Sequence, residues 1–352
     1  MESAIPPRPK GRGFLARHKM KKNILTGIKP TGTPHIGNYF GAIKPAIDMM
    51  SKGDANYFLF VADYHAYTTV KDPVLFQQYV HEIAATWLAC GLDPEKVTFY
   101  AQVDIPELFE LNWLLACNTP KGDLNRAHAY KALVQENIDQ GNKDPDHGVS
   151  VGLYTYPILM AADILLFDSH FVPVGKDQIQ HVEIARSIAS RVNNTYKKEI
   201  FVEPKEIIQE EVASVLGLDG RKMSKSYQNT IPLFLEEKKL QKLINRITTD
   251  SSGPTEPKDP DKSIIFSYYK LFGSKEQIAD FKHKLINGIS WGEAKAALFV
   301  VMNEKLKGPR AIYDSLMKDK TQVDRLLKEG AKKAKAKAEE NMKRFRKNLM
   351  GY

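Results

Sequence analysis

The feature that most constrains this chain is an alternation that begins at residue 23. Short apolar runs, "NILTGI", "NYFLFVADYHAY" and "VTFYAQ", are separated by stretches with helical spacing, "YFGAIKPAIDMM" and "DPVLFQQYVHEIAATWLACGL". Apolar strands alternating with helices predict an α/β fold, a doubly wound parallel sheet with both faces covered. A sheet of that kind holds its ligand outside the carboxyl ends of its strands, and the polar motifs of this chain follow those ends. Residues 106–148 read as an inserted, mostly helical segment ending in the polar "DQGNKDPDHG". "GLYTYPILMAADILLF" then leads into "FVPVGKDQIQHVEIARSIASRV", a strand running into a helix. From 232 to 347 strand alternation stops and Leu, Lys, Glu and Ala dominate, which predicts a separate helical domain.

Composition narrows the function classes. The 352 residues suffice for two domains, and 43% hydrophobic with 26% charged residues is the balance of a soluble globular protein. Two cysteines, Cys90 and Cys117, are too few for a disulfide framework or a structural zinc site, so no protein-bound metal is expected and a reducing, cytoplasmic setting is. The run "YPILMAADILLF" carries Asp163 and falls short of the roughly 20 residues of a membrane span. Of the net charge of +9, residues 1–22 hold seven Lys/Arg against one acid and residues 315–352 hold twelve against five, leaving −4 between them. Basic ends permit a nucleic-acid partner, although solvated tails read equally well. The first 22 residues, rich in Pro, Gly and cations without an apolar signal core, read as a disordered extension, with Met20 an alternative start.

Two motifs carry chemistry. "TGIKPTGTPHIGN", residues 26–38, lies between a strand and a helix, where free backbone N–H groups and the helix dipole favour an anion. Gly32 and Gly37 leave room for a ligand, and His35 and Asn38, three apart, share a face of the first helical turn. The spacing is neither that of a Walker A loop nor that of a dinucleotide fingerprint, and a capped helix start with a structural histidine reads equally well. "GRKMSKSYQN", residues 220–229, crowds Arg221, Lys222 and Lys225 around Met223 between Gly217, Gly220 and a polar run. That pattern predicts a mobile loop, either a solvated turn or a grip on a polyanion.

Taken together, His-Ile-Gly-Asn at 35–38 and Lys-Met-Ser-Lys-Ser at 222–226 resemble the two signature motifs of class I aminoacyl-tRNA synthetases, with Asn38 where His is commoner. The resemblance implies a Rossmann-like catalytic domain over 23–215, a mobile loop over 216–230, ATP-dependent amino-acid activation and transfer to tRNA. It places Lys222 and Lys225 on the departing pyrophosphate, with Thr31, Gly32, Gly37, Met223, Ser224 and Ser226 around the ATP, accompanied by Mg²⁺ as charge neutraliser. "GIKPTG", "VADYHA", "TYPILMAADILL" and "VPVGKDQIQH" further resemble bacterial-type tryptophanyl-tRNA synthetases, from about residue 23 onward.

An indole is a flat apolar body with one N–H, so its pocket needs apolar walls and one buried acceptor. By resemblance, Asp163 accepts that N–H, Met160, Val172 and Val174 are walls, Tyr156 and Gln178 bind the α-amino group, and His65 lines the pocket. Asp177 contacts the ribose, with Gly27 and Gly175 allowing close backbone approach. Without the family, Met160, Val172 and Val174 read as core, Asp163 as a cap or network carboxylate, and His65 as a core histidine. The resemblance further implies a helical domain over 231–320 that reads the anticodon of tRNA(Trp), a C-terminal helix over 321–352 that packs back on the catalytic domain, and a homodimer joined through 106–140.

Two positions depart from the family. Lys29 stands where Gln is common, and is expected beside the α-phosphate. Lys131 aligns with a phosphate-side lysine, but Leu133 replaces a second one. The rival readings are a tyrosyl-tRNA synthetase, a synthetase-like RNA-binding module without catalysis, and another nucleotidyltransferase. The group "LMAAD", with apolar residues around one carboxylate, favours indole over phenol.

Overall fold

The computed structural model describes residues 21–208 and 215–352; the expectations for the first twenty residues lie outside it. Among the described residues, five parallel strands form one sheet: β1 (Asn23–Ile28), β2 (Asn56–Val61), β3 (Val97–Ala101), β4 (Phe171–Val174) and β5 (Lys205–Ile208), in the order β3-β2-β1-β4-β5. The first three strands coincide with the apolar runs of the sequence, but β2 is shorter than its run. At Asp63 the carboxylate accepts from the backbone N–H groups of Tyr64 and Val103, at 2.8 and 3.1 Å. These contacts end the strand and start a helix, so "DYHA" is helical. Strand β5 is not legible in the sequence, because "KEII" is four residues long and opens on two charged ones.

A three-residue helix, α1 (Ile36–Asn38), opens the first crossover and passes through a π-helical turn at Tyr39–Ile43 into α2 (Lys44–Met50). Helix α3 (Asp63–Ala66) follows β2, and α4 (Pro73–Ala89) starts where Asp72 caps Val74 and Leu75 N–H with Pro73 at the first helical position. The inserted segment holds α5 (Glu107–Ala116), α6 (Lys121–Asn125) and α7 (His128–Asp139), before α8 (Val151–Leu166) and, after β4, α9 (Ile179–Tyr196).

The remaining helices are α10 (Glu237–Asn245), α11 (Ile264–Phe272), α12 (Lys275–Ile286), α13 (Trp291–Lys318) and α14 (Lys320–Leu349). Capping boxes at Ser274/Gln277 and Ser290/Glu293 start α12 and α13.

Three apolar clusters hold this together. One joins a sheet face to α5, α8, α9 and α14 through Phe58, Tyr100, Leu111, Leu165, Ile188 and Phe345. A second fills the opposite face beneath α2 and α4. The third, centred on α10–α13, reaches back through Met223 to Ile36 and Phe40, so the helical region is packed against both signature motifs. Helix α14 returns to the sheet edge at Gly330. An added Cβ there would stand 1.6 Å from the Phe99 carbonyl oxygen, so glycine is what allows the helix to press on β3.

Candidate active site

The strand order reverses between β1 and β4, and at such a switch point neighbouring crossovers leave in opposite directions and open a crevice at the carboxyl edge. Two cavities lie there. One of about 330 Å³ runs between β1, β4 and α8 and is lined by Leu25, Phe60, Ile164 and Val172 on its apolar side. The other, about 610 Å³, is a groove between the α1 motif and the lysine loop. They share Thr26, Gly27, Lys29, Pro173, Val174 and Gln178. A ligand with an apolar end in the first and a phosphate chain in the second would therefore have its junction at these residues.

The apolar cavity collects His65, Tyr156, Met160, Asp163, Val172, Val174 and Gln178. Asp163 is 2% exposed, and burial pushes its carboxyl pKa up while the bonds from His65 and Gln102 pull it back. His65 Nε2 lies 2.8 Å from Oδ2, and Gln102 Nε2 donates to Oδ1 and Oδ2 at 2.8 and 2.9 Å. Asp163 is thus both a network carboxylate and the floor of a cavity. A carboxylate has about four acceptor sites, so capacity remains on Oδ1. Tyr156 Oη lies 2.5 Å from His181 Nε2. Met160, Val172 and Val174 also pack with the main core, so wall and core are one surface. Gln102, at the end of β3, was not singled out from sequence; its place just past a strand's carboxyl end was the available signal.

In the groove, Thr31, His35, Gly37, Asn38, Gly175, Lys222, Met223, Ser224 and Lys225 come together, although nearly two hundred residues separate the two motifs. His35 and Asn38 cap each other: Asn38 N–H donates to His35 Nδ1 at 3.3 Å, and Asn38 Oδ1 accepts from His35 N–H at 3.0 Å. Burial first, and then the Lys225 charge, pull the His35 pKa down to about 4. The ring is neutral at pH 7, and with Nδ1 accepting, the tautomer carries its proton on Nε2 as a donor. Gly37 is tightly placed, since a Cβ would lie 3.0 Å from the His35 ring and 3.4 Å from Met223 Sδ.

The lysine loop is folded by its own hydrogen bonds. Asn229, 3% exposed, donates to Asp219 Oδ1 at 2.8 Å and accepts from Ser224 N–H at 2.8 Å, and Met223 N–H donates to Val215 O at 2.9 Å. Ile36 N–H bonds Ile231 O and Leu233 N–H bonds Pro34 O, both at 3.0 Å, which stitches the chain leaving the loop to the α1 motif. Lys225 Nζ donates to Thr31 O at 3.3 Å, over Gly32, whose φ of +118° suits glycine alone. Burial lowers the Lys225 pKa against the pull of Glu82.

Four expected residues stand apart, and one of them, Gly32, lies beneath Lys225 without lining either cavity. Ser226 and Lys131 do not line either cavity, although Ala129, two residues before Lys131 on α7, lines the first. Asp177 belongs to the turn Lys176–Gln178, and its side chain lies outside the described set. Gly27 has a packing reason for being glycine, since a Cβ would meet the Phe60 ring at 2.5 Å. Trp87 on α4, 2% exposed, also lines the groove. Among the described residues no group of three or more His, Cys, Asp or Glu is placed to hold a metal ion, and no helix is long and apolar enough to cross a membrane.

The family model for class I tRNA synthetases of the W and Y type matches residues 18–307. A tryptophan–tRNA ligase of Neisseria meningitidis is 52% identical over 326 residues, covering 93% of this chain and 97% of the relative. One from Pseudomonas aeruginosa is 54% identical over 318 residues, covering 90% and 71%. Among solved structures, tryptophanyl-tRNA synthetase of Campylobacter jejuni complexed with ADP and tryptophan superposes with a TM-score of 0.85 at 44% identity, covering 93% of this chain and 99% of that one. The chain belongs to the class I tRNA synthetases, within the family of bacterial tryptophan–tRNA ligases.

Proposed function

We propose that this chain activates L-tryptophan with ATP and transfers it to tRNA(Trp). The observation that carries the reading is the seam between the cavities: a buried carboxylate, Asp163, floors an apolar pocket that opens through Gly27, Lys29 and Gln178 into the groove holding both signature motifs. Gln102 and His65 fill three of the roughly four acceptor positions of Asp163, and the one left on Oδ1 suits an indole N–H. A phenol hydroxyl would also need a donor.

In the reaction a tryptophan carboxylate oxygen attacks the α-phosphorus of ATP. The bond from that phosphorus to the bridging oxygen breaks, and pyrophosphate leaves with the electron pair. A terminal hydroxyl of tRNA then attacks the adenylate carbonyl and displaces AMP. Lys222 and Lys225 face the developing charge on pyrophosphate, and preorganised cations there stabilise the transition state more than the ground state. His35 donates through Nε2, beside Asn38, and Thr31, Gly32, Gly37, Met223 and Ser224 frame the phosphates, with Ser226, outside the groove lining, joining them only if the loop closes. Asp177 and Gly175 approach the ribose, and Tyr156 and Gln178 hold the α-amino group. Lys29, at the seam, contacts the α-phosphate, and Lys131 is the candidate cation on the far side. Mg²⁺ enters with ATP as part of the substrate.

The helical region over 231–320 reads the anticodon, with the exposed lysines of α14 as further phosphate contacts. Residues 106–140 form the homodimer contact; Phe109 and Trp113 of α5 are 44% and 69% exposed there. The protein works in the cytoplasm.

Exchange of labelled pyrophosphate into ATP tests the activation step. The expected result is exchange with tryptophan and not tyrosine, reduced roughly 100- to 1,000-fold in kcat by Lys225→Ala. Exchange with tyrosine would overturn the pocket assignment. Absence of exchange with any amino acid would leave an RNA-binding module.

A further inference from the structure

Thr68 carries a position-setting contact that the motifs do not announce. Its hydroxyl donates to the His65 backbone oxygen at 2.7 Å, and the Thr68 hydroxyl oxygen, Oγ1, itself accepts from Lys29 Nζ at 3.0 Å. A hydroxyl has one hydrogen, so with that hydrogen committed to His65 the remaining lone pairs are held toward the ammonium. Lys29 belongs to both cavities, and Thr68 lines the apolar one. The Lys29 side chain is exposed on one side, and the protein on the other lowers its pKa by desolvation. The His65 side chain holds Asp163 at 2.8 Å. Thus one residue, His65, locates both the floor of the apolar pocket and, through Thr68, the cation at its mouth.

We propose that Thr68 is a positioning residue that orients the Lys29 ammonium at the seam between the apolar cavity and the phosphate groove. The inference rests on the activation chemistry proposed above. A lysine side chain has four rotatable carbons and three equivalent donors, and without a fixed acceptor it samples positions away from the point where the substrate carboxylate meets the α-phosphorus. The contact is therefore expected to act on the chemical step more than on tryptophan binding, since misplacing a reacting-site group by about 1 Å costs up to roughly 100-fold in rate. The competing role is local: a threonine hydroxyl bonded to the carbonyl three residues back also caps the end of α3. That role does not involve Lys29.

A double-mutant cycle separates the two. Thr68→Val, which keeps the side-chain shape, and Thr68→Ser, which keeps the hydroxyl, are each measured alone and with Lys29→Met, by tryptophan-dependent pyrophosphate exchange. The expected result is a fall of about tenfold in kcat for Thr68→Val with the tryptophan KM within about threefold, most of the rate kept by Thr68→Ser, and less than about twofold further loss from Thr68→Val once Lys29 is Met. If valine prevents folding, Thr68→Ala completes the same cycle. Equal losses in both Lys29 backgrounds, or a wild-type rate for Thr68→Val, would overturn the proposal. So would an unaltered rate for Lys29→Met in an active wild type. A wild type without tryptophan-dependent exchange would instead overturn the activation reading itself.

Discussion

Asp163→Asn isolates a single hydrogen bond in the proposed indole pocket. The substitution keeps the volume of a side chain that is 2% exposed, and it removes a charge whose burial raises the carboxyl pKa, so the fold is expected to survive. The donors around it dictate how the amide sits. His65 and Gln102 both point N–H groups at this position, at 2.8 to 2.9 Å. The amide oxygen turns toward them, which leaves the NH₂ group facing the cavity where an indole N–H would arrive. An unpaired buried donor costs about 1–3 kcal/mol, equivalent to roughly 5- to 150-fold in kcat/KM.

The assay compares tryptophan with β-(3-benzothienyl)alanine, in which sulfur replaces the N–H on a ring of the same shape, by pyrophosphate exchange. Wild type is expected to prefer tryptophan by about 5- to 150-fold, and Asp163→Asn to bring the ratio close to one. Absolute losses from general damage would affect both substrates alike, so the ratio reports the contact. An equal ratio in wild type and variant, or no preference in wild type, would refute the assignment.

Two further outcomes follow from the fold. Burial raises the Asp63 pKa to about 7 from 3.8, against the two backbone bonds that lower it. With the folded pKa above the unfolded one, its stabilising contribution is complete below pH 3.8 and is lost as pH rises through about 7, a change of about 4 kcal/mol. Asp63→Asn keeps an acceptor for Tyr64 and Val103, so urea unfolding should show a flatter pH dependence from 4 to 8 and higher stability than wild type at pH 8; a curve parallel to wild type would contradict this. Gly330→Ala places a methyl 1.6 Å from the Phe99 oxygen and must push α14 off β3. Thermal unfolding should register a loss of about 1–3 kcal/mol, whereas an unchanged midpoint would mean that the helix does not press on the strand as described.

Much of the architecture was legible because it rests on local regularities. Three strands, their intervening helices and the change to an all-helical region follow from apolar periodicity, and both signature motifs are contiguous in sequence. The misread end of β2 has a definite cause: Asp63 ends the strand through its bond to Val103 N–H, forty residues away. Likewise β5 is defined by pairing with β4 from Phe171–Lys205 to Val174–Ile208 and not by the composition of "KEII".

At the site, the motif residues with obvious chemistry were named from sequence, while Gln102, Thr68 and Trp87, and Asn229 at the end of the lysine-loop stretch, were not, because each gains its importance from what faces it in the fold. His35 and Lys225 were both expected, but the depressed pKa of His35 arises from burial and from the Lys225 charge brought beside it. The sequence by itself determined the alternating plan, the two motifs and the residue types available for phosphate and indole, since these depend on neighbours along the chain. Only the tertiary structure decided that an apolar cavity and a phosphate groove share Gly27, Lys29 and Gln178. The strand order places β1 beside β4 and brings segments far apart in the chain to one edge of the sheet.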